Sequence, residues 1–399
     1  MQRKILHADC DAYFVQVARL EDPEGAGKQE LLLVGGSSRE RGVITSASYA
    51  VRKFGVRSGM PTAHALRLCP QAVVGPVARK ACSRKHKEIH EVLGAFTPVV
   101  EAASIDEFYL DVTGTEAVHH THDLHELATR IRLTVLDRTK ISVSIGGGTT
   151  RVVAKLAAKK AKPGGVFTVP PGGEIEFMKT LDLAAIPGVG PRFQERLRDY
   201  GLVRVADVLP FDVDALAVWF GVGTAQWLYD RARGIDDGRI EPHGVAKSIS
   251  RDETFARDIS DDDALLTELM RLVGRAASDL RSRELRARTV CVKVRDPDFT
   301  NRQARHTVAS PLESDRAIYD VARQLLVRLR KARRSGVRLL GVSLSGFTDR
   351  NGVEQLFLFQ SEKQLETDRD RQLARTVDTL RARFGSKAIV SGRTLPGHD

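Results

Sequence analysis

The chain has 399 residues, which predicts more than one domain. It carries 62 Lys and Arg against 51 Asp and Glu, and its 42% apolar residues can form packed cores. This composition excludes a disordered basic tail and favours a polyanionic partner such as nucleic acid. The four cysteines form no Cys-x-x-Cys pair, which argues against a zinc site or a disulfide framework. Without a signal peptide or a membrane-length apolar run, we expect a cytoplasmic protein with no membrane partner.

The first predicted strand, residues 4–8, ends at two acidic residues. Asp9 stands at the strand terminus, where a carboxylate beside aromatic residues is a candidate metal ligand. Asp11 is expected to cap the next helix, which is predicted from Tyr13 to Leu20.

A second acidic pair lies in a predicted β-hairpin that covers residues 97–112. Asp106 and Glu107 are adjacent near its turn, where they are either a solvated turn or ligands for a hard cation such as Mg²⁺. Together with Asp9 they make three carboxylates on two strands. Such a set, with positions left open for phosphate oxygens, suits two-metal phosphoryl or nucleotidyl transfer.

The middle of the chain alternates between helices and strands. We predict a strand at 31–34, helices at 79–94 and 150–161, and a half-buried strand at 141–146. The histidine-rich segment 119–125 is expected to be a solvated loop and not a metal site.

The segment from Leu183 to Pro191 has the pattern of a helix-hairpin-helix motif. Gly188 and Gly190 permit a tight turn that exposes backbone N–H groups to a DNA phosphate at a helix start. The alternative is a plain helical turn.

A separate module with the element order βαββαβ follows a polar linker. Residues 243–345 hold 21 Lys and Arg against 14 Asp and Glu, so the module is basic. Its central strands are either a solvated charged sheet or a surface for the DNA backbone. The candidate DNA-binding residues there are Arg286, Arg288, Lys293, Arg295, Arg302 and Arg305.

Three ordered motifs resemble those of the Y-family lesion-bypass DNA polymerases, and most closely the bacterial DNA polymerase IV class. They are Asp9-x-Asp11-x-Tyr13-Phe14, the segment from Ser48 to Pro61 that contains Tyr49 and Arg52, and Ser104-Ile105-Asp106-Glu107-x-Tyr109-Leu110-Asp111. The resemblance extends from residue 3 to about residue 359.

The resemblance implies an α+β, multi-domain right-hand polymerase with a βαββαβ little finger domain. The expected boundaries are palm 1–10 and 78–166, fingers 11–77, helical thumb 167–233, linker 234–244, little finger 245–346 and C-terminal tail 347–399. The expected reaction is template-directed translesion DNA synthesis on primer-template DNA with deoxynucleoside triphosphates. No second carboxylate cluster indicates a proofreading exonuclease.

The resemblance also implies roles for individual residues. Asp9, Asp106 and Glu107 would be catalytic and hold two Mg²⁺ ions with help from the carbonyl of Cys10. Phe14 would be a steric gate against ribonucleotides, although a core aromatic is the alternative. The other implied nucleotide-binding residues are Tyr13, Tyr49, Arg52 and Lys162. Thr150-Arg151 departs from the Asn-Lys that family members usually carry, which puts the phosphate contacts there in doubt.

A short apolar segment follows the last predicted strand of the module. Its residues are Gln355, Leu356, Phe357, Leu358 and Phe359, and they resemble the peptide that docks polymerases of this class on the sliding clamp. The alternative is a strand that packs on its own domain. We expect a monomer. Two other hypotheses are a catalytically inactive scaffold, against which the three acids argue, and a helix-hairpin-helix glycosylase or nuclease, against which the palm motifs argue.

Overall fold

The computed structural model describes residues 2–242, 244, 246–349, 365–385, 388–390 and 392. It divides into two compact units, residues 1–244 and 245–399, so the boundary falls at the end of the predicted linker. No helix within these described ranges has the length and apolar character needed to span a bilayer.

The first unit contains three groups of elements. In chain order its strands and helices are β1 (Ile5–Cys10), α1 (Tyr13–Glu21), β2 (Leu32–Gly35), β3 (Ile44–Ala47), α2 (Tyr49–Arg52), α3 (Thr62–Leu68), β4 (Val73–Gly75), α4 (Arg79–Gly94), β5 (Val100–Ala102), β6 (Glu107–Asp111), α5 (Glu116–His119), α6 (Leu124–Thr139), β7 (Val143–Gly148), α7 (Arg151–Ala161), β8 (Val166–Thr168), α8 (Glu174–Lys179), α9 (Pro191–Asp199), α10 (Val205–Val208), α11 (Val213–Phe220) and α12 (Val222–Ala232).

A five-stranded sheet with the order β5-β6-β1-β7-β8 forms the centre of this unit. The predicted hairpin is confirmed as β5 and β6, which pair antiparallel. Helices α4 and α6 pack on one face against Leu6, Ala8 and Cys10, and α7 packs on the other. The strand predicted at residues 141–146 corresponds to β7. The prediction that it is half-buried was wrong, because β7 is buried on both faces.

Gly146 explains how close α7 lies to this sheet. A Cβ atom at Gly146 would fall 2.0 Å from the backbone nitrogen of Ala158 and 2.2 Å from the carbonyl of Ala154. Only a glycine therefore allows the helix to reach the strand this closely. The helix begins at the capping residue Thr150, whose hydroxyl accepts a hydrogen bond from Val153 N.

Two smaller groups flank the sheet. A three-stranded sheet with the order β3-β2-β4 carries α2 and α3. The helices from α8 to α12 have their own apolar core, which includes Leu197, Leu216 and Leu228.

Residues 238–241 of the predicted linker lie against the five-stranded sheet. Ile240 is buried in one cluster with Ile5 and Tyr109, and Glu241 N donates to Glu101 Oε2 at 2.8 Å. These linker residues are therefore part of the first unit.

The second unit confirms the predicted βαββαβ order. Its elements are β9 (Ser248–Ile259), α13 (Asp262–Ser282), β10 (Leu285–Arg295), β11 (Asn301–Leu312), α14 (Asp315–Ala332), β12 (Val337–Asp349) and α15 (Asp368–Phe384). The antiparallel sheet has the order β11-β10-β12-β9, and α13 and α14 pack on one face of it.

Helix α15 docks on this unit through charged contacts. Arg281 pairs with Asp378 and with Asp315, at 2.7 Å in each case. The buried Glu366 side chain accepts hydrogen bonds from the backbone of Glu313 and Ser314 just before α14. These contacts explain why this polar helix lies on the sheet-and-helix domain.

Candidate active site

Two of the three predicted carboxylates face each other on neighbouring strands. In the antiparallel pairing of β1 with β6, Asp9 is directly opposite Glu107. Directly paired residues point to the same face of a sheet, with Cβ atoms about 5 Å apart. The two carboxylates therefore lie side by side on the face that α7 covers.

Asp106 lies in the turn just before β6, and Ser104 holds this turn. The Ser104 hydroxyl donates to Asp106 Oδ1 at 2.5 Å and accepts from the backbone N–H groups of Asp106 and Glu107. The Asp106 carbonyl accepts from Cys10 N at 2.9 Å, which ties the turn to the end of β1.

Two lysines of the α7 region pair with the facing carboxylates. Lys162 Nζ lies 2.6 Å from Asp9 Oδ1, and Lys155 Nζ lies 2.5 Å from Glu107 Oε2. In the part of the chain that is described, no group of three or more His, Cys, Asp or Glu side chains is arranged to hold a metal ion. The backbones of Asp9, Asp106 and Glu107 are thus close together, but their side chains bond to Lys162, Ser104 and Lys155 respectively.

Burial and charge act in opposite directions on the two facing acids. Burial raises the pKa of Asp9 even though Lys162 lowers it. His7, whose Nε2 lies 3.8 Å from Glu107 Oε2, and Lys155 together lower the pKa of Glu107 to about 2. At 3.8 Å the His7 contact is too long for a hydrogen bond, so the ion pair with Lys155 at 2.5 Å is the cause that the geometry supports. Glu107 is therefore fully ionised at neutral pH, as a metal ligand must be.

The donor set fits a divalent cation. Asp9 and Glu107 face each other at one end of β1 and β6, Asp106 lies in the turn before β6, and Lys162 and Lys155 balance the charge of the facing pair. Mg²⁺ prefers such oxygen ligands and is bound through one or two carboxylates together with substrate phosphates.

Asp11 does not cap α1, contrary to the prediction. The capping position is Ala12, in the left-handed region, and no side chain caps the helix. The Asp11 carboxylate instead accepts hydrogen bonds from distant residues, among them the Tyr49 hydroxyl at 3.0 Å. Asp11 does not cap α1 because these long-range donors satisfy its buried carboxylate more completely than the helix N-terminus would.

The predicted aromatic pair splits between the core and the site. Tyr13 is fully buried and its hydroxyl donates to the Cys82 carbonyl at 2.6 Å, so its side chain belongs to the core. Phe14 is half-buried at the start of α1 and packs between the sheet core and the cluster of Val15, Leu32 and Val34. Its ring is therefore only partly covered by the core.

The residues of α2 lie close to Asp11. Burial, with the Asp11 carboxylate, raises the pKa of Tyr49, so its hydroxyl stays protonated and donates. The Arg52 guanidinium lies 4.7 Å from the centre of the Tyr49 ring, and its Nε donates to the Ala47 carbonyl. Tyr49, Lys162 and the carboxylates are thus brought together, with Arg52 beside them.

The sequence analysis missed Lys155 and did not assign Arg151. Arg151 makes a two-pronged ion pair with Glu101 and lies 4.2 Å from the centre of the Tyr109 ring. Arg151, Lys155 and Lys162 are four and seven residues apart, a helical spacing that puts cations on one face. This stripe of basic residues, next to a strand with acidic residues, was the sequence signal from which Lys155 and Arg151 could have been assigned to the site.

The helix-hairpin-helix turn precedes α9. Gly188 has a φ of +102°, and a Cβ atom there would lie 2.8 Å from the Trp227 ring. Glycine is therefore required by both conformation and packing. Gly190 caps α9, whose first residue, Pro191, has no N–H, and the N–H groups of Phe193 and Gln194 donate to the Gly190 carbonyl.

The second unit has an outer face, which is the side of its sheet turned away from α13 and α14. The strands alternate, so that Val290, Val292 and Val294 face the helices. The register places the following residues on the outer face: Ser248, Ser250, Asp252, Thr289, Cys291, Lys293, Arg295, Gln303, Arg305, Thr307, Ser343 and Ser345. Within this face Lys293 pairs with the exposed Asp252.

The predicted DNA-binding residues do not all share this outer face. Lys293, Arg295 and Arg305 lie on it, and Arg288 is exposed beside them. Arg302 pairs with the buried Asp296, and Arg286 approaches the buried Glu313 at 3.7 Å. The sequence analysis missed the serines and threonines, although Ser248 with Ser250 and Ser343 with Ser345 show the alternation of a strand face.

The proposed clamp peptide, residues 355–359, lies outside the described residues.

Cys10, Cys69, Cys82 and Cys291 are free thiols.

Comparison with known proteins adds to this geometry. Residues 8–159 match the impB/mucB/samB family, residues 246–358 match the C-terminal domain of that family, and residues 184–236 match the thumb domain of DNA polymerase iota. A DNA polymerase IV of Dehalococcoides mccartyi is 34% identical over 98% of this chain and 97% of its own. A DNA polymerase IV of Caulobacter vibrioides is 32% identical over 98% and 94%.

Solved structures agree. A Y-family polymerase chimera, Dbh-Dpo4(243-245)-Dbh, superimposes with a TM-score of 0.77 at 28% identity and covers 87% of this chain and 99% of its own. An insertion ternary complex of Dbh DNA polymerase gives a TM-score of 0.59 at 27% identity, covering 87% and 99%. The chain therefore belongs to the DNA polymerase IV class of the Y family and is a DNA-directed DNA polymerase for translesion synthesis.

Proposed function

We propose that the chain extends primers by two-metal nucleotidyl transfer at Asp9, Asp106 and Glu107. The observation that carries this proposal is the pairing of Asp9 opposite Glu107, with the Asp106 turn bonded to the end of β1. These carboxylates would hold two Mg²⁺ ions, with the carbonyl of Cys10 as a further ligand. When bound, such ions lower the pKa of the primer 3′-hydroxyl and offset charge on the triphosphate.

The residues of the chain have separate tasks in this reaction. The 3′-hydroxyl attacks the α-phosphate and pyrophosphate leaves. Lys162, next to Asp9, and Arg52, stacked on Tyr49, offset the charge of the triphosphate. Phe14 supplies the wall beneath the sugar and disfavours a 2′-hydroxyl by steric overlap. Tyr13 is not assigned to the nucleotide, because its hydroxyl is bonded in the core.

Lys155 has a charge-balancing task. It neutralises Glu107 in the structure, and a cation at Glu107 would repel it. We propose that Lys155 keeps the Glu107 carboxylate ionised and correctly oriented until the cation binds.

DNA is held without reading sequence. The helix-hairpin-helix turn at Gly188 and Gly190 is assigned to one phosphate, and the outer face of the second unit offers cations and hydroxyls to several more. Arg288, Lys293, Arg295 and Arg305 are the cations assigned to this contact. Arg286 and Arg302 are assigned to the protein's own buried acids.

The direct test of this function is primer extension by the full chain. We expect extension that requires a primer-template, deoxynucleotides and Mg²⁺, and that stops when the metal is chelated. Nucleotide-independent cleavage of the DNA, or no extension with any divalent cation, would contradict the proposal.

The sliding clamp is the proposed protein partner, through Gln355, Leu356, Phe357, Leu358 and Phe359. Apolar anchors in an extended segment of this kind usually carry most of the binding energy of a peptide interface. Tethering to a ring on DNA raises the effective concentration of a weakly bound polymerase. We propose that the chain acts as a monomer in the cytoplasm.

We expect the substitution of Gln355, Leu356 and Phe359 by Ala to leave distributive extension unchanged and to remove its stimulation by the clamp. Extension is measured on primed circular DNA with and without a loaded clamp. The matched control replaces the exposed Gln372 and Leu373 of α15 by Ala. Clamp stimulation that survives the triple substitution would place the docking site elsewhere.

A further inference from the structure

Asp11 is a buried carboxylate whose partners all come from other parts of the chain. Its side chain is 4% exposed. Oδ1 accepts hydrogen bonds from the Tyr49 hydroxyl at 3.0 Å and the Ser144 hydroxyl at 2.8 Å. Oδ2 accepts from the Ser142 hydroxyl at 2.8 Å and from Gly164 N at 2.9 Å.

These four donors belong to three structural elements. Tyr49 begins α2, Ser142 and Ser144 lie at the start of β7, and Gly164 follows Lys162 in the loop after α7. One carboxylate therefore joins the strand that carries Asp9 to the two elements that carry the proposed triphosphate contacts.

The arrangement allows little movement. An ionised carboxylate has about four acceptor sites, and all four are filled by uncharged donors. If Tyr49 or Gly164 moved away, a buried acceptor would lose its partner, which is costly in a protein interior. The Tyr49 hydroxyl has a single proton, and it is committed to Asp11.

We propose that Asp11 is a positioning residue, which aligns Tyr49 of α2, with Arg52 stacked on its ring, and the loop of Lys162, so that Arg52 and Lys162 meet the triphosphate beside Asp9. This inference rests on the proposed nucleotide-binding role of those two residues. Asp11 itself contacts neither metal nor nucleotide. Its effect is on the affinity for the incoming nucleotide and not on the chemical step.

The Asp11→Asn substitution separates this role from a structural one. Gly164 N–H can only donate, so the amide oxygen must face Gly164 and Ser142, and the amide NH₂ then faces Tyr49 and Ser144. Hydroxyls can turn to accept, so the fold is kept, but Tyr49 loses the bond to a charged acceptor. We expect the KM for deoxynucleotide to rise about fivefold to tenfold, the size of one such bond, with kcat nearly unchanged.

A double-substitution cycle with Tyr49→Phe identifies the route. Nucleotide affinity is also measured by equilibrium binding to the full chain on a dideoxy-terminated primer, which needs no turnover. If Asp11 acts through Tyr49, Asp11→Asn adds little to the loss that Tyr49→Phe already causes. Two losses that multiply, or an unchanged affinity in Asp11→Asn, would overturn the proposal.

The matched control is Glu101→Gln, the same kind of change at a half-buried carboxylate of the same sheet that pairs with Arg151. We expect it to lower the melting temperature without weakening nucleotide binding; an equal rise in KM would also overturn the proposal. If Asp11→Asn fails to fold, Ser144→Ala removes one donor from the same oxygen, and unchanged affinity in both Ser144→Ala and Tyr49→Phe would refute the role. Absence of extension by the unaltered chain would instead contradict the proposed function.

Discussion

The two large sheets of the molecule use the face turned away from their paired helices in different ways. In the first unit α4 and α6 cover one face of the five-stranded sheet, and α7 covers the other, where Asp9 and Glu107 lie. In the second unit α13 and α14 cover one face, and the outer face carries hydroxyls and cations.

The difference follows from what each face has to do. Chemistry needs a few groups held in fixed positions, and the first sheet fixes them with short ion pairs and a covering helix. Grip on a DNA backbone needs many contacts of similar kind, and none of them has to be exact in position. Single substitutions should therefore be severe on the first face and mild on the second.

The largest effect is expected at the carboxylates. Asp106→Ala or Glu107→Ala should lower the rate of extension by at least about a thousandfold, because several kcal/mol of charge stabilisation are lost. Binding to primer-template, measured by fluorescence anisotropy, should persist. The control is Asp111→Asn at the far end of the same strand, half-buried and bonded to Thr113 N. Equal losses of binding and extension would show that these acids support the fold and not the cations.

The next effect concerns the cations of the outer face. Replacing Arg288, Lys293, Arg295 and Arg305 by Ala should reduce the slope of log affinity against log salt by about 3 to 4, because each phosphate contact releases a counterion. Between about 50 and about 200 mM salt, the affinity of this variant should therefore fall by a factor roughly a hundredfold smaller than that of the unaltered chain.

A control with the same change in net charge is available on the helix side of the same unit. Arg323, Arg328, Lys331 and Arg334 are exposed on or just after α14. Their replacement by Ala should leave the slope close to that of the unaltered chain. If both variants flatten the slope equally, only the net charge of the unit matters and the outer face has no special role.

A third, smaller effect belongs to the rigid face. Phe14→Ala should raise the insertion of ribonucleotides relative to deoxynucleotides by roughly thirtyfold, since overlap with one added hydroxyl costs about 2 kcal/mol. Single-nucleotide insertion kinetics with each sugar give the ratio. The buried Phe108, which packs in the core of the sheet, is the contrasting site, and Phe108→Leu should change stability but not this ratio. Unchanged selectivity in Phe14→Ala would make Phe14 a core residue.

How far sequence predicts each face depends on where its partners lie in the chain. Asp9, Asp106 and Glu107 could be proposed from the sequence because their motifs are contiguous, and the hairpin could be predicted from local periodicity. The role of Asp11 was missed, because its donors are 38 to 153 residues away and a capping rule considers only the next turn. The ion pair of Arg302 could not be predicted for a related reason, since its partner Asp296 becomes buried only when β10, β11 and α14 assemble.

The smallest effect is expected for the hydroxyls of the outer face. Ser250 is paired in register with Ser343, near the middle of the sheet, so their hydroxyls lie side by side. Replacing both by Ala should weaken primer-template binding about fivefold, the size of one or two neutral hydrogen bonds, and leave the salt slope unchanged because no charge is removed.

Thr267 and Ser282 of α13 are the control pair, because their hydroxyls bond to carbonyls of their own helix. Titrations at several salt concentrations distinguish the outcomes. A parallel shift of the whole line supports hydrogen bonds from hydroxyl to phosphate. A loss that vanishes at low salt would mean that the serines only position Lys293 and Arg305, and that the grip of this face is purely ionic.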